Sequence, residues 1–356
     1  MTQSKLSTQR ATTSPSISCV MPAFNEARNL ERMVPLLLST LHSLSTAVEL
    51  IVVDDGSHDN TQGVMVALCE RFSSVVYLKL SRNFGKEAAL TAGIDATRGE
   101  VVLLIDADGQ HPHALVPEML RRWQDGNDVV YAVRKNRDDQ SRFQANLTGL
   151  FYRMVNWGNR VQIPAHAGDF RLMDRQVVEA LKSMPERNRF MKGLYAWVGF
   201  NSTAIDYEPL ARQDGITHFG FRGAMSLALT GIVAFSTAPL RFLTLVGLVL
   251  SALALGYGSW VVIEYFVLGI AVPGYATIVV GMMFFSGIQM LSMGVIAEYV
   301  GRIYEEVKNR PAYLLSARAG RGLQPPQLTS CAIPAAQAQD DSLQPVAAVT
   351  VRLAQR

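Results

Sequence analysis

The sequence predicts an α/β domain built on a mostly parallel sheet and followed by two membrane-spanning helices. Three observations point to it. From residue 17 to 132, short apolar runs alternate with helical patterns, the signature of strand–helix–strand units. One such run, Val101-Val102-Leu103-Leu104-Ile105, passes straight into Asp106-Ala107-Asp108. Two carboxylates therefore stand at the carboxyl end of a buried strand, where open α/β sheets bind ligands. Later, Glu264 is the only charged residue between Arg241 and Glu298. That stretch divides at residues 269–274 into two apolar runs of about 25 residues, each long enough to cross a bilayer.

The elements follow in order. Residues 17–21 read as a first strand, 27–44 as a helix and 49–54 as a second strand. A helix over 61–72, a strand over 75–80 and a helix over 86–96 come next, then the strand 101–106. Residues 114–123 and 128–132 supply one more helix and strand. Beyond Val133 the pattern loosens, as expected of a substrate-facing region rather than further sheet, and the catalytic domain is taken to run over 17–218. The segment FGFRGAMSLALTGIVAF, within a juxtamembrane region 219–239, suits a helix lying along a membrane surface. The membrane hairpin spans 240–298, with helices over about 242–268 and 273–297. A second juxtamembrane helix is expected over 299–315. Residues 1–16 are polar, and 316–356 are rich in Ala, Gln, Pro and Ser without periodicity; both are expected to be disordered.

Composition narrows the functional classes. A net charge of +3 over 356 residues, with no block of like charge, argues against a nucleic-acid partner. Three cysteines, Cys19, Cys69 and Cys331, lack the paired spacing of a metal or disulfide framework. Residues 1–16 have no apolar core of a secretory signal. Arg222 and Arg241 flank the first apolar run, Arg302, Lys308 and Arg310 follow the second, and the link between the runs is uncharged. The positive-inside rule then places both termini and the α/β domain in the cytoplasm, as in a multi-pass protein of the plasma (inner) membrane. Glu264, near the far end of the first run, reads as an interfacial residue.

Chemistry concentrates on loops at one sheet edge. Neighbouring carboxylates repel unless a cation lies between them. Hard divalent ions such as Mg²⁺ or Mn²⁺ take such oxygen ligands and leave positions open for a substrate's phosphates. Three further loops join the Asp-x-Asp turn: Pro22-Ala23-Phe24-Asn25-Glu26 after the first strand, Asp54-Asp55-Gly56-Ser57-His58-Asp59-Asn60-Thr61 after the second, and Ser81-Arg82-Asn83-Phe84-Gly85-Lys86-Glu87 after the third. Each is ordinary turn chemistry by itself; in this order, after successive strands, they form a specific signal.

That order resembles family-2 glycosyltransferases with the nucleotide-diphospho-sugar transferase (GT-A) fold. More narrowly, Gly168-Asp169-Phe170-Arg171-Leu172-Met173, Met184-Pro185-Glu186-Arg187-Asn188 and Glu298-Tyr299-Val300-Gly301-Arg302 look like the polyprenyl-phosphate glycosyltransferases. These include dolichol-phosphate mannose synthase and, nearer to this chain, bacterial bactoprenol glucosyltransferases. The resemblance covers about residues 17–315. It implies a nucleotide-diphosphate sugar and a polyprenyl phosphate lipid as substrates, and a divalent metal as cofactor. A second copy of the chain is a candidate partner through the hairpin.

The resemblance also assigns roles. Pro22, Phe24, Glu26, Val53 and Asp55 fall to the nucleotide, and Asp106, Asp108 and Gln110 to the metal and diphosphate. Arg134 faces the diphosphate or acceptor phosphate, Arg142 the acceptor phosphate, and Asp169 the sugar or acceptor side. Arg212 and the residue six positions later, His218, clamp the donor diphosphate. Three positions depart from the family pattern. His218 replaces a lysine, Gln110-His111 replaces Gln-Asp, and Phe143-Gln144-Ala145-Asn146 is less basic than in relatives.

The expected reaction is inverting transfer of a hexose, glucose from UDP-glucose, to a polyprenyl phosphate such as undecaprenyl phosphate. The alternatives are a GDP-mannose-dependent synthase and a non-catalytic scaffold for flipping lipid-linked sugars. A processive polysaccharide synthase would carry Gln-x-x-Arg-Trp well downstream of the metal acids. Here Arg122-Trp123 lies close to Asp108 and is preceded by Met119, as at an ordinary amphipathic helix end.

Overall fold

The computed structural model describes residues 14–134, 167–187, 189–208, 238–268 and 274–323. Strands β1 (Ile17–Ala23), β2 (Val48–Asp54), β3 (Val75–Leu80) and β4 (Val101–Leu104) alternate with helices α1 (Ala27–Leu44), α2 (Thr61–Arg71) and α3 (Lys86–Ala96). A short 3-10 turn, His113–Leu115, leads into α4 (Val116–Gln124), followed by β5 (Val129–Arg134) and β6 (Ala167–Asp174). Then come α5 (Arg175–Ser183), α6 (Met191–Trp197), β7 (Ser202–Tyr207), α7 (Ala238–Leu268), α8 (Tyr275–Val307) and β8 (Leu315–Gly320).

The strands form one sheet in the order β7-β5-β6-β4-β1-β2-β3-β8. β1 pairs in parallel with β2 and β4, β2 with β3, and β5 with β7; β6 runs antiparallel to β4 and β5, and β8 antiparallel to β3. Chain order reverses between β1 and β4, the switch point beside which a crevice opens at the strands' carboxyl ends. Because β6 is antiparallel, its beginning lies at that same edge. Leu104 pairs with Arg171, so two residues further the register brings Asp106 opposite Asp169.

The period of two sorts the strand residues onto two faces. Ile17, Cys19 and Met21 of β1, with Val101 and Leu103 of β4, pack beside Leu30, Leu37 and Leu41 of α1. Val20, Val102 and Leu104 pack on the opposite face against Leu90 and Ile94 of α3 and Val178 and Leu181 of α5. With helices on both faces, β1 and β2 are buried along their whole length, hence their nearly unbroken apolar runs.

Four stretches differ from the sequence expectation. β6 and β7 add sheet beyond Val133, where none was expected. In β6 the charges find non-local partners: Arg171 stacks on the Tyr195 ring at 3.4 Å, and Asp174 accepts the Trp123 Nε1–H at 2.9 Å. That bond also fixes Trp123 at the end of α4, while Arg122 pairs with Glu118 one turn earlier. At the far end, 299–315 is not a separate helix, for α8 continues unbroken to Val307. Residues from 316 do not begin a disordered tail either: Leu315–Gly320 covers the open edge of β3. An edge strand's unpaired backbone groups are a sufficient reason. Near the start, Ser16 is tied down by Glu100, which accepts its N–H at 3.0 Å.

α7 has 31 residues and α8 has 33, which makes each about 46–50 Å long. Within α7, Phe242–Trp260 has a mean hydropathy of 1.8 and is apolar and long enough to cross a membrane. Leu245, Leu253 and Trp260 on α7, with Phe284 and Leu291 on α8, are exposed. Large apolar side chains exposed in such number mark an interaction surface. The expected surface helix within 219–235, the hairpin link at 269–273, residues 1–13 and residues 324–356 lie outside the described residues.

Candidate active site

Four loops meet at the switch-point edge, and their bonds are mutual. After β1, Asn25 adopts a left-handed φ of 57°; its N–H donates to Ser57 Oγ at 2.8 Å, and its Oδ1 accepts the His58 N–H at 2.9 Å. The Phe24 ring sits edge-on to His58 with centroids 6.3 Å apart. Glu26 stands at the start of α1 and accepts from Asn29 Nδ2 at 2.5 Å. A cleft of about 500 Å³ opens beside this corner, lined by Asn25, Glu26, Arg28, Asp59 and Asn60. Asp59 accepts from the Thr61 N–H and hydroxyl at 3.1 and 2.6 Å, an Asx turn that leads into α2.

The loop after β2 is fastened to the loop after β3. Pro22 and Val53 are register partners on β1 and β2, and Val53 is wholly buried within the sheet. Asp55 accepts the Phe84 N–H at 2.7 Å and the Gly85 N–H at 2.9 Å. Burial raises its pKa against those two bonds. Its carboxylate therefore holds the loop that delivers Lys86. Next to it, Asp54 accepts the Tyr77 hydroxyl at 2.6 Å and the Ser57 N–H at 2.7 Å.

Lys86, the first residue of α3, is the centre of the site. Its Nζ lies 2.7 Å from Asp106 Oδ1, 2.9 Å from Asp106 Oδ2 and 2.8 Å from Asp169 Oδ2. Burial alone would raise both carboxyl pKa values; the Lys86 ammonium, helped by His111 at Asp106 and by Lys192 at Asp169, outweighs it and holds both below the usual carboxylate range. Burial would likewise lower the lysine, yet the two acids push it well above its ordinary value. Asp108 accepts the Gln110 N–H at 3.1 Å in the turn that follows. His111 puts Nε2 3.4 Å from Asp106 Oδ2. Its ring packs 4.8 Å from Phe170 and 5.6 Å from Tyr207. Arg134 ends β5 directly beside Tyr207 of β7, so it reaches the same edge.

Asp106 and Asp108 are hard oxygen donors on one turn, with Gln110 adjoining. Among the described residues no three acidic, histidine or cysteine side chains form a metal cage. Two carboxylates are nonetheless what Mg²⁺-type ions use when substrate phosphates complete the coordination, and the donor set fits such an ion. Arg142, Arg212 and His218, the remaining predicted site residues, lie outside the described residues.

Lys86, and Glu87 behind it, lie in a loop that stands out in the sequence, but no local pattern marks either residue. Glu87 Oε2 accepts the Met191 N–H at 3.2 Å. Burial, and then the charge of Asp169, raise its pKa from 4.5 to about 7. The folded protein thus keeps a proton that the unfolded chain has released between those two values. Stability should fall as pH rises from 4.5 to about 7. Glu87→Gln keeps an acceptor for Met191 and removes the charge. We expect it to stabilise the fold at pH 8 by at most ~3 kcal/mol, seen as a higher melting temperature, and to change little near pH 5. Coincident melting curves at pH 8 would contradict this.

Comparison with known proteins agrees with the geometry. Residues 18–182 match glycosyl transferase family 2, and residues 238–303 match the GtrB C-terminal hairpin. An uncharacterized glycosyltransferase of Synechocystis sp. is 43% identical over 300 residues, covering 84% of this chain and 94% of the relative. The bactoprenol glucosyl transferase of Shigella phage SfX is 40% identical over 306 residues, 85% of this chain and 99% of the relative. A prophage bactoprenol glucosyl transferase homolog of Escherichia coli is 41% identical over 303 residues, 84% and 98%. With a GT-A-like sheet, a site at its switch point and the hairpin behind it, the chain belongs to glycosyltransferase family 2, among the members that carry the GtrB hairpin, and is a glycosyltransferase.

Proposed function

We propose that the enzyme transfers glucose from UDP-glucose to a polyprenyl phosphate such as undecaprenyl phosphate, at the cytoplasmic face of the membrane and with inversion at the anomeric carbon. The observation that carries this reading is the convergence of Asp106 and Asp169 on Lys86, at an edge shared with the donor loops. The names of the bactoprenol glucosyl transferase relatives support the lipid acceptor and the sugar.

Asp106, Asp108 and Gln110 are the residues that would hold a divalent ion. When bound, such an ion supplies Lewis-acid stabilisation of the departing diphosphate. Pro22, Phe24, Glu26 and Val53 frame the nucleotide, and Asp55 keeps the loop beyond it in place. Arg212 and His218 clamp the donor diphosphate. Arg134 faces the diphosphate or the acceptor phosphate, and Arg142 the acceptor phosphate. A phosphate monoester has a second pKa of about 6 and is already anionic at neutral pH, so the attack needs no strong base. Asp169, held as an anion by Lys86 despite its burial, orients the sugar or acceptor rather than taking a proton. The exposed apolar side chains of α7 and α8 keep the site near the lipid's headgroup, which turns a two-body encounter into a local one.

Incubating membranes with a panel of labelled uridine- and guanosine-diphosphate sugars, then extracting lipid, tests the donor. Label should enter lipid from UDP-glucose; entry from GDP-mannose alone would replace this reading with a mannose synthase. Topology is tested with a cysteine at Ala271, in a background without Cys69 and Cys331, since Cys19 is wholly buried. An impermeant thiol reagent added outside intact cells should label it. Labelling only after the membrane is breached would contradict the cytoplasmic placement of both termini.

A further inference from the structure

We infer that Lys86 is the resident counter-ion of the site: its ammonium holds Asp106 beside Asp169 and competes with the divalent ion for Asp106, so ion and donor bind strongly only together. The inference rests on the proposed role of Asp106 as a metal ligand. Both Asp106 oxygens face the ammonium, at 2.7 and 2.9 Å, and His111 Nε2 adds a further contact at 3.4 Å. An ion approaching Asp106 therefore meets a carboxylate already serving one cation, and the two like charges repel across a few ångströms. The ammonium has a second anchor in Asp169 Oδ2 at 2.8 Å, which retains it when Asp106 is taken by the ion. The diphosphate adds negative charge and so tips the exchange toward the ion.

The fold explains why a lysine at this point of the chain reaches both acids. Antiparallel pairing of β6 with β4 sets Asp169 opposite Asp106. Gly85, immediately before Lys86, has a φ of 98° and is held through its N–H by Asp55. The ammonium is thus placed from the nucleotide side of the edge, while the carboxylates it joins lie on the metal and acceptor sides. Lys86 is a positioning residue: the atoms it touches are those of Asp106 and Asp169.

Mn²⁺ binding to the purified full-length protein in detergent, followed by loss of the free-ion EPR signal, tests this without any turnover. Wild type should bind Mn²⁺ weakly alone and more tightly with UDP. Lys86→Met should tighten binding of the ion alone by on the order of tenfold, the scale of removing one adjacent like charge. Lys86→Arg, which keeps the charge, should bind as wild type does. The double variant Lys86→Met with Asp169→Asn removes one cation and one anion together, so the site's formal charge is that of wild type. It should still bind Mn²⁺ more tightly, and because its charges balance it decides the matter if Lys86→Met alone does not fold. Unchanged or weaker affinity in a folded double variant, or tightening in Lys86→Arg, overturns the inference while leaving the metal site intact. Failure of Mn²⁺ to bind wild type even with UDP overturns the metal reading and this inference with it.

Discussion

Asp108→Asn should cut transfer by about a hundred- to a thousandfold while leaving the protein folded. Asp108 belongs to the turn after β4 rather than to the core, and its Oδ1 accepts the Gln110 N–H at 3.1 Å, a bond that an asparagine oxygen can also accept. The substitution therefore changes charge at constant shape. It removes one of two carboxylates available to a divalent ion and leaves the Lys86 bridge between Asp106 and Asp169 untouched. Losing a single preorganised electrostatic contact to developing charge slows enzymes by about a hundred- to a thousandfold. A loss of that size in turnover, with an unchanged melting temperature and weaker Mn²⁺ binding in the presence of UDP, is expected. Turnover at the wild-type rate would remove Asp108 from the metal site.

Gly56→Val should damage the donor side as severely, by a steric route. Gly56 has a φ of 72°, in the region that side chains rarely occupy. A Cβ there would lie 2.5 Å from the Arg82 carbonyl carbon and 2.7 Å from the Asn83 nitrogen. Both are backbone atoms and cannot swing aside, and a β-branched residue at positive φ is strained regardless of space. The loops after β2 and β3 would have to part, taking with them the bonds from Phe84 and Gly85 to Asp55. A cost of about 2–4 kcal/mol is expected, seen as a lowered melting temperature together with a raised KM for the donor. A variant that melts and binds donor as wild type does would show that the two loops do not need this close approach.

The parts of the fold legible in the sequence are those whose stabilisation is local or fully buried. β1, β2 and β4 are covered on both faces, so their apolar runs stand out whatever they pair with. The loop chemistry is likewise local: Asp59 bonds to Thr61 two residues away. β6 escaped because its charged residues are satisfied far along the chain, Arg171 by Tyr195 and Asp174 by Trp123. β7 is largely exposed at the sheet's end, and β8, LSARAG, carries one large apolar residue and owes its place to the open edge of β3. The site divides in the same way. Asp106 and Asp108 announced themselves by their position after a strand. The partnership of Lys86 with Asp169 depends on the register of β6 against β4, and no local pattern around residue 86 encodes it.

The central claim is that the acceptor is a polyprenyl phosphate and the donor UDP-glucose. The most direct measurement supplies purified full-length enzyme with UDP-glucose, Mg²⁺ and undecaprenyl phosphate, and follows the lipid extract by mass spectrometry. The acceptor should gain one hexose, UDP should be released in equal amount, the new linkage should have the configuration opposite to the donor's, and chelating the metal should stop the reaction. A retained configuration would contradict the proposed attack. Release of glucose and UDP with the lipid left unmodified would contradict the acceptor.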